Sequence, residues 1–217
     1  MDLRIAKGLE TRQLIYDTAK NEFYKHGYKK TTIQTVTQTA DVQRGLFAYY
    51  FSTKDHLVEV IYGEYLDAIY QLLRPFEWFD SETAFFQHSM VSYIYYYNIL
   101  SDSNIARFYY EVLRRESNER VLIRPISDIY HRFVADYGID LKQCDFDSLL
   151  HYDFGGRREV FINYFSKHLD IGIEDLVFNI VYTMAFAIRI PHEEIKRVNA
   201  KVHEYFNEID SSSVRML

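Results

Sequence analysis

Uncharged hydrogen-bonding side chains crowd one stretch of the chain, Thr31 to Leu57, which reads TTIQTVTQTADVQRGLFAYYFSTKDHL. Thr31 and Gln34 stand three residues apart, the spacing of a capping box, so a helix is predicted to begin near Thr32. Ile33, Val36 and Ala40 recur at three- and four-residue intervals and form a narrow apolar stripe, leaving Gln34, Thr35, Gln38 and Thr39 to face outward. Asp41 and Val42 interrupt the pattern, and a second helix is predicted from about Gln43 to Phe51, with Leu46 or Phe47 and Tyr50 or Phe51 turned inward. Two short helices a turn apart suggest a helix-turn-helix. A neutral face of amides and hydroxyls suits a duplex: amides match purine edges, while hydroxyls and helix N-terminal amides hold phosphates.

Other chemistries find little support. There is no Gly-x-Ser-x-Gly elbow, phosphate loop or dinucleotide fingerprint, and GGRRE from Gly155 lacks the strand and lysine of a phosphate site. Asp128-Ile-Tyr-His131 is an imperfect half of a di-iron motif and suits a solvated helix face. The eight histidines are scattered singly. One cysteine, Cys144, excludes an intramolecular disulfide and a cysteine-cluster zinc site, and its bland reading is a place in or near a core. No catalytic residue, metal or cofactor is implied.

These residues must be held by something, and the rest of the chain supplies helices. At 217 residues and 48% hydrophobic content it can bury one substantial core or two small ones. The first ten residues mix charges, unlike a signal peptide, and the longest apolar run, LVFNIVYTMAFAI, is too short to span a bilayer. A cytoplasmic protein with no membrane contact is expected. The net charge is −6, yet residues 1 to 57 hold nine Lys/Arg against six Asp/Glu, a local +3 that leaves −9 on the remainder. A phosphate-binding head on an acidic body would show this asymmetry.

Only three prolines and eight glycines punctuate the chain, and helical spacing dominates. A first helix is predicted from about Thr11 to His26 with Gly27 as its stop. After the two short helices, Ser52 is predicted to cap a fourth, Lys54 to Leu73, ended by Pro75. A fifth, about Glu82 to Leu100, is apolar nearly all round and should be the spine of the body. Further helices are predicted at Asn104 to Glu116, Arg120 to Tyr137 with Pro125 starting or kinking it, Asp145 to His168, Glu174 to Arg189, and His192 to Asn207. The terminal DSSSVRML looks frayed. The expected fold is all-α, with a three-helix head over residues 1–53 and a larger helical-bundle body over 54–217.

Three helices with these residues in this order resemble the TetR family of transcriptional regulators. The likeness runs from Ile15 to Leu57: a helix ending in FYKHGY, then TT, then ADVQRGLFAYYFSTKDHL. Asp41 stands where the family often has Gly in the turn, and Ala48 where a Tyr is common. Carried over by position, the resemblance puts Gln34, Gln43, Arg44, Gly45, Leu46 and Tyr49 in the major groove, with Arg44 matched to a guanine. It puts Thr32, Tyr50 and Lys54 on the DNA backbone, with Thr31 also among the DNA-binding residues. Phe47 and Phe51 are assigned to the core.

The resemblance further implies a ligand-responsive repressor that binds a palindromic operator as a homodimer and is released by a small lipophilic or aromatic effector. The chain has 20 Tyr and 16 Phe, and His88, Tyr93, Tyr96, Tyr97, Phe108, Tyr109, Tyr130 and Phe133 are the candidate pocket residues. The acidic body favours a cationic or neutral lipophile. The segments 145–168 and 174–189 carry more apolar surface than peripheral helices can hide, and Gly155, Gly156, Ala185 and Ala187 allow close approach, so they are the expected dimer interface. The competing reading is a helical interaction or sensor module whose DNA binding has been lost.

Overall fold

The structure, a computed structural model, describes residues 3–113, 115 and 117–217. Among the described residues eleven helices follow one another, with no strand and no helix long and apolar enough to cross a membrane. The first helix, α1 (Leu3–Lys30), starts eight residues before its predicted beginning because nothing in residues 3–10 breaks it. Its early turns run beside the third helix: a Cβ on Gly8 would lie 3.5 Å from the Tyr50 hydroxyl, and the Arg12 guanidinium sits 5.2 Å from the Phe51 ring centroid. Gly27 does interrupt α1, at φ 78°, ψ 173°. A side chain there would be strained and would also press on Glu111, 2.8 Å from an ideal Cβ.

Helices α2 (Ile33–Thr39) and α3 (Arg44–Phe51) bury Val36, Thr37, Phe47 and Phe51 against Ile15, Ala19 and Tyr16 of α1. The cap of α2 is Thr32, whose Oγ1 accepts from the Thr35 amide at 3.0 Å; the predicted cap, Thr31, is one residue early. Thr31 is fully buried and donates instead to the Gly27 carbonyl at 2.8 Å, closing the bend. The same offset recurs at α4 (Lys54–Leu73), where Thr53 rather than Ser52 is the cap. Ser52 takes a left-handed backbone, φ 53°, with its hydroxyl on the Phe51 carbonyl. A cap needs extended backbone so that its oxygen faces the first-turn amides, and Thr53 at φ −134° has it.

A short α5 (Glu77–Ser81), absent from the predicted elements, follows Pro75. Five residues are too few to show a period, and α5 is anchored by Trp78 stacked on Tyr205 at 4.1 Å. The spine is α6 (Ala84–Ser101), buried on every side from Ala84 to Tyr96. Around it lie α7 (Ser103–Leu113), α8 (Ser117–Asp136), α10 (Ile173–Ala187) and α11 (His192–Phe206), with α9 (Gln143–Phe165) packed on α7 and α10. Pro125 falls inside α8. Glu116, the predicted end of α7, and the side chain of Cys144 lie outside the described residues. The terminal segment is not frayed: a 3₁₀ turn at Ser211–Ser213 leads to Val214 and Met216, both buried.

Candidate nucleic-acid interface and effector cavity

The turn between α2 and α3 depends on one strained residue. Asp41 has φ 50°, and the Val42 amide then reaches the Thr37 carbonyl at 3.0 Å. Aspartate tolerates this left-handed conformation better than most side chains, so the family's frequent glycine is replaced without losing the turn. Beyond it, Gln34, Gln43, Arg44, Gly45 and Leu46 are exposed, and Tyr49 is 79% exposed with its ring edge-on to Tyr50 at 4.9 Å. A Cβ on Gly45 would meet nothing within 4 Å, so the N-terminal end of α3 is open to close approach. Thr32 is exposed at the start of α2, and Tyr50 is half-buried.

One of the expected contacts is corrected. Thr31, buried beneath the Gly27 bend, presents nothing to solvent. Lys54 is used internally: its ammonium donates to the Tyr28 and Thr31 carbonyls at 2.9 and 2.8 Å and lies 3.8 Å from the Tyr28 ring centroid. Burial, then the charge of Arg115, holds its pKa below the usual lysine value. Lys54 therefore closes the carbonyl-rich end of α1 and fixes where α4 starts.

The head is gripped by α7. Arg107 donates to the Tyr24 and Lys25 carbonyls at 2.8 and 3.0 Å, and Glu111 accepts from the Lys29 amide at 2.7 Å. Arg115 pairs with Asp55 at 3.0 Å, and Asp55 also accepts from the Tyr28 hydroxyl. Although burial alone would raise it, these two donors hold the Asp55 carboxyl below its usual value. Phe108 packs on Phe23 at 5.0 Å, so this pocket candidate belongs to the head–body contact instead.

The other aromatic candidates do not line one pocket either. Tyr93 and Tyr97, one turn apart, face Phe206 of α11, and Tyr109 sits between Tyr62 and Phe161. His88, Tyr96, Tyr130 and Phe133 do converge. Helical geometry explains the split, since positions 88, 92 and 96 share one face of α6 while 93 and 97 share another. A cavity of ≈ 30 Å³ lies between α4, α6 and α8; His88, Ser92 and Tyr96 form its polar edge, and Leu66, Ile126 and Ile129 are among its apolar walls.

Behind that edge is a charged pair that the sequence reading missed. Arg157 of α9 donates through Nε to Asp153 Oδ1 at 2.9 Å, and its Nη2 lies 2.6 Å from Oδ2. The guanidinium also donates to the Tyr130 and Tyr96 hydroxyls, and Tyr130 donates to Asp153 at 2.9 Å. Arg157 is 4% exposed and Asp153 2%. Burial works against the guanidinium charge, but the adjacent Asp153 carboxylate prevails and raises the Arg157 pKa well above its ordinary value. His88 is pushed the other way, down to about 3, by burial and by the Arg157 charge, so its imidazole is neutral. A hydrogen bond between the ring and the Val181 backbone of α10 works against this shift without prevailing. The signal was present: Phe146, Leu150, Asp153, Arg157 and Phe161 recur every three or four residues, so both charges stand on the buried stripe of α9.

The sequence pattern described as "Bacterial regulatory proteins, tetR family" matches residues 15–61. Similar curated proteins include the "Probable acrEF/envCD operon repressor" of Escherichia coli (strain K12), 38% identical over 52 residues, which are 24% of this chain and 24% of that one. Another is the "HTH-type transcriptional regulator TtgR" of Pseudomonas putida, 34% identical over 62 residues, 29% of this chain and 28% of the relative. The matches thus span about a quarter of the length of these curated relatives. Among solved structures, the fatty acid degradation regulator FadR from Bacillus halodurans superposes with a TM-score of 0.54 at 17% identity, over 80% of this chain and 94% of that one. That likeness concerns the fold. With its turn, its buried α1–α3 face and its sequence match over residues 15–61, the head of the chain is similar to that of the TetR family of bacterial regulatory proteins.

Proposed function

We propose that the chain is a ligand-responsive transcriptional repressor. Its homodimer binds a palindromic operator and is released when an effector enters between α4, α6 and α8. The observation that carries this reading is the exposed, mostly neutral face of Gln34, Gln43, Arg44 and Tyr49 over a fully packed back. The regulator names of the relatives that match the head point the same way. Head and body fall at residues 1–53 and 54–217, with α4 belonging to both jobs: it starts under the head at Lys54 and lines the cavity at Leu66 and Tyr70. At ≈ 30 Å³ the cavity holds little more than a water, so an effector must part the helices and shift the population of head positions.

The effector is assigned a neutral, apolar character. Arg157 and Asp153 already cancel one another, His88 is neutral, and an added charge would be buried without a partner. A hydrogen-bonding group on the effector would find His88 and Ser92 on the cavity's edge. The dimer face is placed on α9 and α10, where Gly155, Gly156 and Ala187 are exposed, Phe186 is 42% exposed and Tyr152 more so. Ala185, expected in that face, is buried inside the protomer. Sedimentation at micromolar concentration is expected to give twice the mass of one chain; a monomer would refute the dimer.

The decisive experiment is fluorescence anisotropy against DNA flanking the protein's own gene. Arg44→Ala is expected to cost about 1–3 kcal/mol of operator affinity and to relax preference at one base pair per half-site. Equal binding of operator and scrambled duplex by the unaltered protein would sink the reading.

A further inference from the structure

The residues after α11 meet four helices at one point. Asn98 of α6 donates to the Ser211 carbonyl at 2.8 Å and the Val214 carbonyl at 3.2 Å, and the Ser211 hydroxyl returns a bond to Asn98 Oδ1 at 3.2 Å. Asp210 accepts from the Ser212 amide at 3.2 Å and so starts the 3₁₀ turn. The chain then lays Val214 and Met216 over the junction, Met216 being 1% exposed. Beneath it a cavity of ≈ 190 Å³ is shared with Tyr65 of α4 and Ile105 of α7. On the other side Arg215 and Leu217 line a cleft with Lys20 and Tyr24 of α1. Tyr24 itself donates to Asp102, between α6 and α7, at 3.1 Å. A short segment is thus bonded to the body's spine and laid against the head's first helix.

We infer that residues 211–217 are a strap that fixes the head's orientation on the body and sets operator affinity separately from the effector cavity. The strap docks only where α1, α4, α6 and α7 meet as they do here, so docking selects that arrangement from the head's accessible positions. An unstrapped head must be ordered when it binds, and that ordering lowers affinity. The cavity between α4, α6 and α8 shares no lining residue with the junction under the strap, so the two controls are separable.

The affinity arm of the test rests on the operator reading above, and the exchange arm does not. Met216→Asp and Asn98→Ala are made in the otherwise unchanged chain. Amide hydrogen exchange of residues 20–31 and 102–106 is measured beside operator anisotropy. Both variants are expected to exchange at least fivefold faster in those segments, with α10 unchanged, and to bind operator at least fivefold more weakly. Should Met216→Asp not fold, Asn98→Ala decides alone, since its side chain is only part-buried. Unchanged exchange, or operator binding as tight as or tighter than that of the unaltered protein, would overturn the strap. Failure of the unaltered protein to bind any operator would remove the repressor reading and leave exchange to judge the strap.

Discussion

Asp153→Asn is expected to destabilise the protein by about 3–5 kcal/mol, read as a fall in the urea midpoint without a change in slope. The reason is what the substitution leaves behind. Arg157 is 4% exposed, and its remaining partners, Tyr96 and Tyr130, are neutral hydroxyls, so the guanidinium would stay charged without a counter-ion. Arg157→Leu should cost a similar amount by stranding the carboxylate. The double variant Asp153→Leu/Arg157→Met is expected to recover most of the loss, because an apolar pair needs no compensation. A single substitution costing under about 1 kcal/mol, or a double variant no better than the singles, would show that water reaches the pair.

His88 makes stability depend on pH below the ordinary histidine value. Its folded value is pushed to about 3 from the ordinary 6.5. The unfolded chain therefore takes up the proton first as pH falls, and the folded state loses ground from about pH 6.5 downward. Above that pH His88 adds no pH dependence. Between about pH 7 and pH 5 the expected loss is about 2 kcal/mol, the slope approaching about 1.4 kcal/mol per pH unit for one proton only toward the lower end. His88→Phe should flatten the stability profile over this range while keeping ring packing against Tyr130 and Phe133. Parallel profiles for the two proteins would mean that the imidazole protonates in place, despite the Arg157 charge nearby.

Most long periodic segments of the body are legible in the sequence to within a few residues: α4 has the predicted bounds, and α6 is the buried spine its composition announces. Turns and caps are off by one residue at Thr31/Thr32 and Ser52/Thr53, because adjacent hydroxyls are equivalent in composition and only backbone angles choose between them. The strap reads as frayed for a related reason. It has no period, and its order comes from Asn98, more than a hundred residues earlier in the chain. The exposed face of the head is visible as a run of uncharged polar side chains, whereas Lys54 is not separable from a surface lysine until the Tyr28 and Thr31 carbonyls are seen to converge on it. In the body, aromatic abundance alone does not say which rings share a cavity. The stripe from Phe146 to Phe161 marks Asp153 and Arg157 as buried, against the usual association of charge with solvent.

The grip of α7 on the head has an evolutionary corollary. Arg107 and Glu111 take hold of the Tyr24 and Lys25 carbonyls and the Lys29 amide, backbone groups that are present whatever side chains those positions carry. The coupling joint is thereby blind to most of the head's sequence. Under the operator reading proposed above, Gln34, Gln43 and Arg44 would be free to change without retuning the joint, and Gly27 is the position that must stay, because its positive φ sets the bend between those groups. A grafted head that keeps this glycine and the turn after it would inherit the attachment to the body.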